Sequence, residues 1–316
     1  MIERKIEFTG ALLIDKPAGL TSHDVVAKLR YILKQKRIGH TGTLDPFATG
    51  LLVICLGRAT RLVQFLTTEA KEYEAVIRFG FSTDTQDYTG KPNSPIVTSY
   101  GLQEVDWPRV LAQFLGEQEQ IPPMFSAKKI GGETLYNLAR KGQEVERKAV
   151  KIFVYQLELM MLTGENLHFN ADGTCDIAIK VKCSAGTYIR TLANDLGAKL
   201  GYGAHLISLR RTSVGRFLLS QAKTLMEISE IYQSDKQKLP ILTPAQLIGD
   251  LPKVKLSTEE IPSVRNGQAQ NANLLTEWSI DAWVGLLDSE EKLIAMAQMV
   301  EQDGKRKIQP RILLID

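Results

Sequence analysis

Asp45 is the carboxylate whose setting in the sequence most suggests chemistry. It lies in Gly39-His40-Thr41-Gly42-Thr43-Leu44-Asp45-Pro46-Phe47-Ala48-Thr49-Gly50, a stretch of three glycines, three threonines, one histidine and one proline. A carboxylate held in a cleft can act as a nucleophile. Glycine permits backbone angles closed to other residues, and Pro46 fixes its own φ and restricts Asp45 before it, so the stretch is neither a helix nor a central strand. A polar loop between core-forming elements is either a surface connection or a site held on a rigid frame. Taken alone, Asp45-Pro46 is a turn dipeptide and His40 a structural hydrogen-bonder. Two distant residues bear on the choice. Tyr73 lies in Lys71–Phe79, where Tyr73, Ala75, Ile77 and Phe79 share one face, so alternation reads it as a core aromatic. Arg190 opens a helix with the apolar face Ile189, Leu192, Ala193, Leu196 and Leu200. A cation there opposes the helix dipole by a few tenths of a kcal/mol unless an anion offsets it. Arg190 is therefore a surface arginine or the partner of a carboxylate.

The elements that must carry these residues are legible from pattern. Residues 11–14 read as a short buried strand, followed by the turn Asp15-Lys16-Pro17-Ala18-Gly19-Leu20. Thr21 or Ser22 can cap a helix with Val25, Val26, Leu29, Ile32 and Leu33 on one face. Leu51 to Leu56 read as a fully buried strand. Arg58 to Thr67 read as a short helix, and residues 82–90 as a loop that bonds its own backbone through threonine and aspartate side chains. A helix is expected near Trp107 to Phe114, strands near 150–160 and 175–183, and a short helix from Thr243 to Leu251. From Pro252 the chain breaks into short strands, including 254–256, 283–287, 293–299 and 312–315.

Composition narrows the class. The 316 residues are 44% hydrophobic and 24% charged, as in a globular protein with a sizeable core. No apolar run approaches the roughly 20 residues of a membrane helix, and the N-terminus does not read as a secretory signal. Cys55, Cys175 and Cys183 lack zinc-ligand spacing and read as reduced core residues, and the expectation is a cytoplasmic protein. Asp84 and Asp87 lack the ligand ladder of a calcium loop. The net charge of +3 is unevenly spread: residues 252–316 hold 8 Lys+Arg against 10 Asp+Glu, whereas 128–151 hold 7 against 3. Basic residues beside Tyr136, punctuated by Gly131, Gly132 and Gly142, suit an RNA-gripping insertion, or else a solvated charged face.

The string GHTGTLDPFATG resembles the catalytic loop of the TruB family of tRNA pseudouridine synthases. DKPAGLTS at 15–22, KEY at 71–73, the TDTxDxxG pattern at 83–90, PPMFSAKK at 122–129, KCSAGTYIRTLANDLG at 182–197 and LRRTSVG at 209–215 resemble further family blocks, in the family's order. The resemblance implies Asp45 as the catalytic carboxylate, Arg190 as its partner and Tyr73 as the aromatic stacked on the target base. It implies His40 as a residue holding a flipped-out nucleotide and Tyr188 as a pocket wall. Lys16 is implied as structural or RNA-facing, and Lys128, Lys129 and Arg140 as part of a thumb-like insertion at about 122–150 that enters the T-loop of tRNA. The implied fold is α+β: a mixed, mainly antiparallel central sheet flanked by helices over residues 1–250, plus a small C-terminal β-barrel of the PUA type over 251–316. The implied activity is isomerisation of the uridine at position 55 of tRNA, by a monomer, without cofactor, metal or obligate protein partner. Alternatives on the same fold are a guide-RNA-dependent synthase and a tRNA-folding chaperone. A glycosidase would need a second catalytic carboxylate, which is not evident.

Overall fold

A computed structural model describes residues 7–126, 128–162, 164–272 and 278–315, apart from the side chains at 129, 130, 134, 136 and 140. A ten-stranded sheet is its frame, with main-path order Gly10–Lys16, Thr49–Leu56, Ala204–Val214, Lys71–Phe79, Cys175–Cys183, Val150–Met160 and Gly116–Gln120. Along this path only the contact between 204–214 and 49–56 is parallel; the other neighbours run antiparallel. The sheet is thus mixed and mainly antiparallel, as expected, with helices packed on it. Lys71–Phe79 alternates buried and half-buried residues along its whole length, with Tyr73, Ala75, Ile77 and Phe79 inward. Thr49–Leu56 is buried throughout its apolar run because neighbouring layers cover both faces.

The helix Ser22–Ile32 begins with a capping box. Thr21 accepts from the Asp24 amide, and the Asp24 carboxylate accepts from Thr21 in return. Ser22 is thereby free for another task, described below. The helix Ile189–Leu200 ends at Gly201 in the left-handed conformation, and Ile189, Leu192, Ala193 and Leu196 enter the main core.

Residues 253–313 supply a second, five-stranded sheet that curls into a half-barrel, consistent with the PUA-like expectation. It is docked rather than tethered. Leu287, Leu293, Met296 and Leu314 share one apolar cluster with Leu51, Val53, Leu62 and Phe217. Phe65 meets Trp283 edge-on at 4.8 Å, and Arg58 donates to the Ile315 carbonyl at 2.7 Å. Among the described residues, no helix is long and apolar enough to cross a membrane.

Candidate functional site

The Asp45 loop is the connection of a hairpin. Ile38–His40 pairs antiparallel with the end of Thr49–Leu56, leaving residues 41–48 between them. Segments remote in sequence hold this loop. The Leu44 amide donates to Ser22 Oγ at 2.8 Å, and that hydroxyl in turn donates to the Leu44 carbonyl at 3.3 Å. The Pro46 carbonyl accepts from the Gly19 amide at 2.8 Å and from Lys16 Nζ at 3.3 Å. Lys16 also donates to the Pro17 and Leu20 carbonyls at 2.9 and 2.6 Å. Leu44 and Ala48 are anchored in the main core. The loop then enters the sheet through Gly50, with φ +99°, where an added Cβ would lie 2.3 Å from the Arg211 carbonyl oxygen. Only glycine accepts that angle and that approach.

Arg190 meets Asp45 from the start of its helix, 145 residues away in the chain. Its Nη2 donates to Asp45 Oδ1 at 3.0 Å and its Nε lies 2.9 Å from Oδ2, a two-pronged guanidinium–carboxylate contact. The remaining donors are also engaged. Nη1 reaches the Thr85 carbonyl at 3.0 Å and lies 3.6 Å from Asp87 Oδ2, while Nη2 donates to the Phe125 carbonyl at 2.7 Å. Arg190 is 4% exposed and Asp45 31%. The cation is sealed in, and the carboxylate keeps an opening.

Two opposed effects set the ionisation of Asp45. Burial, the larger, pushes the carboxyl above its ordinary value; Arg190 pulls it down, Asp87 adds to the rise and Lys16 opposes it. The net shift is upward, the reverse of what a nearby arginine alone would give, because the loss of water on burial outweighs the arginine's pull.

Asp45 and Arg190 line a cavity of about 450 Å³, with Tyr73, Lys128, Tyr188 and Arg211 on its walls. Tyr73 is 8% exposed, and burial raises its phenol above the ordinary value, so it stays neutral at neutral pH. Arg211 stands opposite Tyr73 in the sheet register. Arg211 donates to the Leu51 carbonyl at 2.7 Å and the Gly42 carbonyl at 3.2 Å, bracing both ends of the Asp45 loop. Gln120 clamps Tyr188 by accepting from its amide at 2.7 Å and donating to its carbonyl at 2.9 Å.

The model of the TruB family pseudouridylate synthase N-terminal domain matches residues 30–189, and that of the tRNA pseudouridylate synthase B C-terminal domain matches 190–247. The chain belongs to the TruB family of pseudouridylate synthases. Among its relatives, tRNA pseudouridine synthase B of Staphylococcus haemolyticus is 41% identical over 309 residues, covering 96% of this chain and 98% of the relative. The Bacillus cereus protein of the same name is 40% identical over 292 residues, with 91% of each chain covered. A chain of an H/ACA RNP bound to a substrate RNA containing 2′-deoxyuridine has the same fold, with TM-score 0.70, 24% identity, and coverage of 100% of this chain and 88% of that one. The protein is thus an isomerase of the pseudouridine synthase class.

Within this TruB cavity, Asp45, Tyr73, Tyr188, Arg190 and Lys128 come together. His40 does not line it. His40 packs edge-on against His23 at 5.2 Å, and burial, with His23 and Arg211, lowers its pKa to about 4. Of the two roles expected for Lys16, structural or RNA-facing, its surroundings fit the structural one. Lys16 is fully buried, with its ammonium on three carbonyls, so it braces the turn and the Asp45 loop and presents nothing to RNA. Lys129 and Arg140 have side chains outside the described residues. Sequence reasoning passed over Arg211, Asp87 and Ser126. Two consecutive arginines in a strand must face opposite ways, which was the available signal that one of Arg210 and Arg211 turns inward. Asp87 was read as a self-bonding loop residue. It does accept from Thr85 Oγ1 and the Thr89 amide, and its second oxygen also faces Arg190.

Proposed function

We propose that this TruB-family enzyme converts uridine 55 in the T-loop of tRNA to pseudouridine, with Asp45 as the catalytic carboxylate. The reaction breaks the bond between uracil N1 and ribose C1′, turns the base, and joins C5 to C1′. C5 gives up its proton and N1 gains one. The carboxylate acts on C1′ or on C6 of the base. The uridine must first leave its stack, at a cost of a few kcal/mol. A cavity of about 450 Å³ falls in the size range of pockets that enclose small ligands.

The observation that carries this reading is the two-pronged contact between Arg190 and a partly open Asp45 carboxylate. Both carboxylate oxygens accept from a guanidinium that stays protonated, which fixes the direction in which the carboxylate faces the cavity. Tyr73 offers a flat, neutral ring for the flipped base and a hydroxyl for proton transfer. Lys128 and the basic insertion after it grip the T-arm, while residues 1–250 act as the catalytic unit and 251–316 as an accessory RNA-binding module. The enzyme works as a cytoplasmic monomer on tRNA without a guide.

The test is to incubate purified protein with unmodified tRNA and map pseudouridine along the chain. Modification confined to position 55 of the T-loop is the expected result. Modification elsewhere, or only when a guide RNA is added, would refute the assignment.

A further inference from the structure

Buried polar side chains are normally hydrogen-bonded. Among the described residues, three buried side-chain atoms have no partner: His40 Nδ1, Trp107 Nε1 and Ser126 Oγ. Neither His40 nor Trp107 lines the cavity, and Ser126 does. Ser126 is 5% exposed on the cavity wall, and its Oγ is shielded with no protein partner.

The backbone that carries that hydroxyl is held by the same group that fixes the carboxylate. The Ser126 amide donates to the Met124 carbonyl at 3.0 Å. The carbonyl of the preceding residue, Phe125, accepts from Arg190 Nη2 at 2.7 Å, and this nitrogen also donates to Asp45 Oδ1 at 3.0 Å. One guanidinium therefore sets both Asp45 and the backbone that carries Ser126. A serine hydroxyl donates one hydrogen bond and accepts others, so it can pair with a carbonyl, an N–H or a ribose hydroxyl.

We propose that Ser126 is a substrate-binding residue whose hydroxyl hydrogen-bonds the uridine inserted beside Asp45. This rests on the reading of the cavity as the uridine site. On this reading the hydroxyl, which pairs with no protein group, gains its partner when the nucleotide enters. A site built in this way rejects analogues that lack the matching group.

The test uses the full-length wild type, Ser126→Ala and Ser126→Cys on a T-arm hairpin. It is repeated with 2-thiouridine, 4-thiouridine and 2′-deoxyuridine at the target position. Ser126→Ala is expected to lower kcat/KM about ten-fold with an unchanged melting temperature, since one hydrogen bond is lost. At least one analogue is expected to cost the alanine variant less than it costs the wild type, which names the atom contacted. If the alanine variant does not fold, the near-isosteric cysteine variant carries the test, with a smaller loss of the same pattern. A kcat/KM within two-fold of wild type overturns the proposal. So does a loss identical for every hairpin, because that is the mark of a purely structural residue. Inactivity of the wild type on the unmodified hairpin would overturn the uridine reading and this inference with it, whereas an active wild type and an indifferent variant overturn this inference alone.

Discussion

Two irregular stretches of similar length are held in very different ways. Residues 41–48 are fastened from outside by Ser22, Gly19 and Lys16, and their own Leu44 and Ala48 are buried in the main core. Residues 141–149 are mostly exposed. Lys141 pairs with Glu133, Arg147 lies 3.6 Å from Glu144, and Arg147 donates to the Pro122 carbonyl at 3.1 Å. The first stretch carries the carboxylate, and the second carries surplus positive charge. Chemistry needs one geometry, so its loop is fixed redundantly by the frame. If the second stretch grips tRNA as proposed, it needs charge within reach of phosphates, and exposure serves that better than burial.

The comparison can be broken from either side. Beyond the carboxylate itself, the largest effect is expected at Arg190. Arg190→Ala should cut turnover by about a hundred-fold or more, because it frees Asp45 and removes the anchor of Phe125. Arg190→Lys keeps charge but loses the fork, and should recover only part of that loss. The pH profile sharpens the point. If Asp45 is the catalytic carboxylate proposed above, it works ionised, that form prevails above its raised pKa, and activity is expected to fall as the pH drops through it. Weakening the Arg190 contact removes a downward pull, so the acid limb of the lysine variant should move to higher pH. An unmoved limb would show that Arg190 does not act on the carboxylate.

A smaller effect is expected at Gly50→Ala, which places a Cβ 2.3 Å from the Arg211 carbonyl oxygen at φ +99°. It should cost on the order of 1–3 kcal/mol and lower Tm by several degrees, with a fall in kcat as the loop shifts. Tm equal to wild type in differential scanning would contradict the packing described. The smallest effect belongs to the exposed stretch. Lys148→Glu should raise KM a few-fold at low salt and less at high salt, leaving kcat unchanged. A change in kcat would mean that this stretch shapes the site and not only the grip.

How far the sequence disclosed this arrangement depended on whether local pattern or distant contact decided the outcome. The alternation in Lys71–Phe79, the buried run ending at Leu56 and the Thr21 cap are local, and each is present in the structure. The helix position of Arg190 left it a surface arginine or a carboxylate partner, and only the family resemblance paired it with Asp45. The fate of Lys16 was not legible, because no pattern within DKPAGL says that its ammonium will be closed off by three carbonyls. The strand Gly116–Gln120 reads GEQEQ, an edge strand without an apolar face, and so left no periodic signal. The helix Leu225–Ser234 was passed over, although Thr224 and Glu227 form a capping box ahead of the buried Ile228. The upward shift at Asp45 depends on burial, which composition does not reveal.

The central claim is that the carboxylate fixed by Arg190 is the group that acts on the uridine. Asp45→Asn keeps the shape of the side chain and removes its charge. Tritium release from C5-labelled tRNA and tRNA binding should be measured side by side on that variant. The account predicts no detectable release with binding near that of the wild type. Sustained release by the asparagine variant would contradict it.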